Sequence, residues 1–177
     1  MANMKRIGFG QVEPNHLSAQ RNGKIYAQLP ADESLKVLEN GRFVKYDYAK
    51  GKVDLTGEGE WMLVFNEVKL YDDKWRESYK DFALQATNAV RGELYSRVFK
   101  TDIGDIYTTN CLKLANTSGT AEVEMEDYAV EDKLVINDQG FLEKSTGSPA
   151  AGSMVWQVVK VYAMADGQAA VKIQRIA

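Results

Sequence analysis

From Leu35 onward, apolar and polar residues alternate along much of the chain with a period of two, the spacing of a strand with one buried face. Asn40-Gly41 is a tight-turn dipeptide,. After it Val44, Tyr46 and Tyr48 alternate with Phe43, Lys45 and Asp47, and past a turn at Lys50-Gly51, Val53 and Leu55 alternate with Lys52 and Asp54. Gly57-Glu58-Gly59 opens the best strand pattern, Glu60 to Tyr71. Its first half is apolar on both sides, with Trp61, Leu63 and Phe65 on one and Met62 and Val64 on the other. Such a strand is central and covered twice, by its own chain or by a neighbour.

The pattern then changes. Trp75, Tyr79, Phe82, Ala86 and Val90 recur at spacings of 4, 3, 4 and 4, which predicts one helix within Lys74–Glu93. Strands resume at Leu94–Phe99 and Ile106–Leu114 around Ile103-Gly104-Asp105, and Asn116 to Gly119 is a turn cluster,. Val123 and Met125 alternate with Glu122, Glu124 and Glu126. Lys133–Ile136 and Phe141-Leu142 flank an Asn137-Asp138-Gln139-Gly140 hairpin turn, and a Gly/Ser/Pro loop follows at Ser145–Ser153. Met154–Met164 and Ala169–Ile176 meet across Asp166-Gly167, among the strongest short hairpin signals. The reading is a mainly β, antiparallel, barrel-like or sandwich domain with at most one or two short helices.

Residues 1–31 differ. Gly8, Gly10, Pro14, Gly23 and Pro30 interrupt them, and only Lys24–Leu29 reads as a short strand. We read 1–31 as an extended N-terminal arm and 32–177 as the β-rich body, so that removing the arm leaves the body folded. Ile7, Phe9, His16 and Tyr26 are the arm residues expected to contact a partner.

Composition narrows the classes. The 177 residues carry 22 basic and 25 acidic side chains, interspersed, for a net charge of −3. No basic stripe is present to neutralise a phosphate backbone, so no nucleic-acid partner is expected. No apolar run approaches the ~18 residues that would span a bilayer, and Met1–Gln11 has no apolar core of a secretory signal. Neither a membrane partner nor secretion is expected. Cys111 is the only cysteine, which excludes an internal disulfide and fits synthesis in a reducing cytoplasm.

Catalytic chemistry is weakly written. Cys111 and His16 are the only thiol and imidazole, but one falls in an apolar strand and the other in the arm, whereas a nucleophile and its base must touch. The row Glu122, Glu124, Glu126 diverges at ~7 Å per step, from the ~3.4 Å rise per residue, instead of converging on a cation. Asn137–Gly140 lacks the ligand spacing of a calcium loop, Gly57–Glu60 lacks the parts of a phosphate loop, and Asn116-Thr117-Ser118 reads as a turn. We expect no enzyme activity, cofactor or metal. The aromatics Phe43, Tyr46, Tyr48, Trp61 and Phe65 serve packing or, alternatively, stack sugars or bases on a binding surface.

The runs Asn22–Pro30, Leu38–Asp47, Gly59–Glu67 and Phe99–Asn110, with the hairpin at Asp166-Gly167, resemble small virion structural proteins of tailed bacteriophages. The glycine-led strand followed by a valine and a short hairpin is similar to head (capsid) decoration proteins. The resemblance implies a non-enzymatic cement protein on the outside of the head, made in the host bacterial cytoplasm and bound to the major capsid protein. It also implies a homo-oligomer, trimers being familiar in that group, and it carries over no catalytic residue. The alternatives are a tail or baseplate component, or a binding module for glycan or single-stranded nucleic acid.

Overall fold

The computed structural model describes residues 5–18, 25–67, 82–88, 94–113, 122–124 and 127–177. Within them the chain forms strands β1 (Lys5–Ile7), β2 (Val12–His16), β3 (Ile25–Pro30), β4 (Val37–Glu39), β5 (Phe43–Asp47), β6 (Lys52–Asp54), β7 (Met62–Val64) and β8 (Ala83–Gln85). The second half supplies β9 (Tyr95–Phe99), β10 (Ile106–Thr109), β11 (Glu122–Glu124), β12 (Lys133–Ile136), β13 (Leu142–Lys144), β14 (Val155–Ala163) and β15 (Ala169–Arg175).

Two larger sheets dominate, one of six strands in the order β13-β12-β14-β15-β10-β2 and one of five in the order β3-β9-β7-β5-β6. All pairings within them are antiparallel. The fold is therefore mainly β, and of the two predicted forms it is the sandwich. No described edge strand of one sheet pairs with the other, so no barrel closes.

The layer between the sheets is built from alternate residues of both. Tyr107, Trp156, Val171, Ile173, Leu134 and Leu142 from the larger sheet meet Phe43, Leu63 and Phe99 from the smaller. Trp156 anchors it, tilted against Phe43 at 6.0 Å and edge-on to Tyr107 at 5.1 Å between ring centroids, separations at which ring quadrupoles attract.

The far face of the five-stranded sheet is apolar too. Val44, Val53, Met62, Val64 and Val98 pack there with Ala31, Leu35, Leu38 and Leu94. Leu38 comes from β4, which pairs with β8 to form a small second cover. The two-sided pattern of Trp61–Phe65 is thus explained. Leu63 faces one layer, Met62 and Val64 the other, and both covers come from this chain.

One expectation needs correction. Ala83–Gln85, inside the predicted helix, is strand, and Ala86–Asn88 is a 3₁₀ turn. Pairing with β4 overrides the helical spacing there. Residues 74–81 and 89–93 lie outside the described residues, as do Val68–Tyr71 of the strand pattern and Asn116–Gly119. The segment 1–31, read as an arm, also forms strands in its described residues. Its described residues are built into the sheets: β2 edges the six-stranded sheet against β10, β3 edges the five-stranded sheet against β9, and β1 pairs with β11. Val12 and Leu17 lie in the layer between the sheets, 3% and 1% exposed.

Two glycines are fixed by the packing of these layers. Gly140, at φ +80°, ends the β12–β13 turn, and a Cβ there would lie 2.2 Å from the Phe43 carbonyl oxygen. Gly41, at φ +95°, would place a Cβ 2.5 Å from that of Cys111. No L side chain fits either site without moving backbone or core. Asn40-Gly41 is therefore a junction between covers rather than the tip of a hairpin.

Candidate functional site

The apolar layers surround a seam of buried polar groups. Glu39, at the end of β4, accepts hydrogen bonds from the Gly10 N–H at 2.6 Å and pairs with Arg6 Nη2 at 3.1 Å. Both side chains are less than a tenth exposed. Gln11 donates its N–H to Asn110 Oδ1 at 2.8 Å and its side-chain amide to Asp166 Oδ2 at 2.8 Å. Asp105 accepts from the Ser18 N–H and hydroxyl and from the Asp102 N–H at 2.7–2.9 Å. The Asn40 side-chain amide accepts from the Asn66 N–H at 2.7 Å and donates to the Asn66 carbonyl at 3.1 Å. Buried polar groups left unpaired would cost ~1–3 kcal/mol each, so these contacts hold the N-terminal segment in register.

Cys111 lies in this seam, fully buried. Burial, reinforced by the Glu39 carboxylate, pushes its thiol well above the ordinary range. A thiol held protonated is a poor nucleophile. His16 sits exposed at the end of β2, and its strand register sets it opposite Ile106.

The predicted contact residues fall in three separate sheets. Ile7 is in β1, opposite Glu122; His16 is in β2; Tyr26 is in β3. Phe9 is half-buried in the bend after β1. The side chains of Ile7 and Tyr26, like those of Glu122 and Glu124, lie outside the described residues.

Charged turns are internally matched. Asp47, Asp54 and Asp32 converge on the Lys50 ammonium at 3.2, 3.1 and 4.0 Å. Hydrogen bonds from its ammonium to Asp54 and Asp47 raise the Lys50 pKa, and the bond from the Lys50 backbone N–H lowers that of Asp47. Asn137 Oδ1 accepts the N–H groups of Gln139 and Phe141, both at 3.0 Å, so this calcium-loop lookalike is an Asx turn. No cluster of three metal-ligating side chains occurs among the described residues.

The aromatics divide by role. Phe43 is in the core, and Phe65 is edge-on to Phe99 at 5.5 Å. Tyr46 and Tyr48 stack edge-on at 5.1 Å at the β5–β6 turn. Trp61 differs: half-buried, it lines a cleft of about 600 Å³ where the two sheets part. The five-stranded sheet supplies Lys45, and the segment leading into β7 supplies Glu60 and Trp61; β12 supplies Val135 and Ile136, and β15 supplies Arg175. Ile103, 70% exposed, stands in the lining as well. The Lys45 ammonium lies 4.7 Å from the centroid of the Trp61 ring. Trp61 was visible in the sequence as an aromatic able to stack. The walls opposite it were not, because they arrive from strands far along the chain.

Compared with models of protein families, with curated proteins and with solved structures, the chain finds no match.

Proposed function

We propose that the protein is a non-enzymatic virion structural protein of the head-decoration kind, binding the outside of a tailed-phage capsid and bridging neighbouring capsomers. The strand-and-turn resemblance motivates the reading, and the build of the body supports it. The observation that carries it is a body self-covered on both faces of its central sheet that still leaves large apolar side chains on its turns and edges. Tyr48 is 65% exposed, Tyr95 54%, Ile103 70% and Val130 57%. A cement protein needs such a rigid body, stable without disulfides, with contact points on its outside. Individually weak contacts suffice, because display on a lattice multiplies them through effective concentration. The partner is the major capsid protein, and a homo-oligomer would place several contact points at once.

The test is sedimentation of the purified protein with heads and, separately, with tails of the phage that encodes it. Saturable pelleting with heads is expected, weakened by Tyr95→Asp or Val130→Asp. Pelleting with tails alone would transfer the protein to the tail or baseplate, and pelleting with neither would remove it from the virion surface.

A further inference from the structure

The cleft around Trp61 has the size and build of a ligand site, and we propose that it binds a neutral oligosaccharide. Sites for small ligands occupy about 300–1,000 Å³; this one is about 600 Å³, with a lining divided about evenly between polar and apolar groups. It lies between two sheets that are each locked into the core, so it is preformed.

The lining selects the class of ligand. Trp61, Ile103 and Ile136 offer apolar surface to the C–H face of a sugar ring, while Glu60 and Ser153 offer polar atoms to its hydroxyls. An anionic ligand fits poorly, because each positive group is already engaged. Lys45 sits over the Trp61 ring. Arg175 donates from Nε to the Ala177 carbonyl at 3.0 Å and from Nη1 to the Thr101 hydroxyl at 3.0 Å. Lys100, beside the cleft, pairs with Glu60 at 2.7 Å, and the Glu60 carboxylate would repel a phosphate. A purely apolar ligand would strand these polar atoms. A ring with one apolar face and a hydroxyl rim satisfies both halves.

The experiment is ligand-observed NMR and calorimetry on the full chain, offering maltohexaose, cellohexaose and chitotetraose, with an oligothymidylate and inorganic phosphate in parallel. Saturable binding of at least one oligosaccharide at millimolar concentration is expected. Trp61→Ala should weaken it at least about tenfold, the equivalent of ~1.4 kcal/mol. Trp61 also touches the core, so Ile103→Arg, at an exposed position, provides a second variant that blocks the mouth without loosening the fold. Binding of only oligothymidylate or phosphate, binding of no oligosaccharide, or equal affinity in Ile103→Arg and wild type overturns the proposal. None of these outcomes depends on capsid binding.

Discussion

Deleting residues 1–22 is expected to unfold the protein. The deletion removes β1 and β2, and with them Val12 and Leu17 from the layer between the sheets. Emptying one large apolar site costs ~2–5 kcal/mol, and a domain of this size has only about 5–15 kcal/mol in total. The deletion also strands buried acceptors. Asp105 loses two bonds from Ser18, Glu39 loses Gly10 and Arg6, and Asn110 loses the Gln11 N–H. Circular dichroism and urea titration read the outcome. A truncated chain that still melted cooperatively near the wild-type temperature would restore the separable arm of the sequence reading.

The second large effect concerns Arg6 and Glu39. Arg6→Met alone should destabilise by about 3–5 kcal/mol, because it leaves the Glu39 carboxylate buried without its cation. The double variant Arg6→Met, Glu39→Gln should recover most of that loss. The glutamine amide oxygen can still accept from the Gly10 N–H, and the thioether fills the guanidinium's place. Arg6 Nε and Nη1 have no hydrogen-bond partner in the buried site, so removing the guanidinium also removes two unsatisfied donors. Chemical denaturation of the two variants beside wild type measures the recovery. Equal losses in both would mean that the pair contributes by shape and not by charge.

Where the chain pairs with its neighbours in sequence, the pattern alone was sufficient. The Asp166-Gly167 hairpin joins β14 and β15 as predicted, and β12 and β13 fold back across Asn137–Gly140. The alternation in Phe43–Asp47 and the double face of Trp61–Phe65 map directly onto the two layers. What orders the N-terminal segment lies far away in sequence. Ser18 meets Asp105 across 87 residues and Gln11 meets Asp166 across 155. A short strand containing Pro14 shows no local signal of that kind, and proline is tolerated there because β2 is an edge strand,. The candidate site was legible in one residue, Trp61. Its companions Ile136 and Arg175 belong to strands whose neighbourhood is set by sheet order, which periodicity does not encode.

Strand β7 is three residues long, yet it belongs to both apolar layers at once. Loosening Leu63 disturbs its neighbours Met62 and Val64 through the same backbone, so neither layer can be softened by itself. The two layers should therefore behave thermodynamically as one cooperative unit, with a calorimetric enthalpy equal to the van't Hoff value. The body then yields all at once or holds.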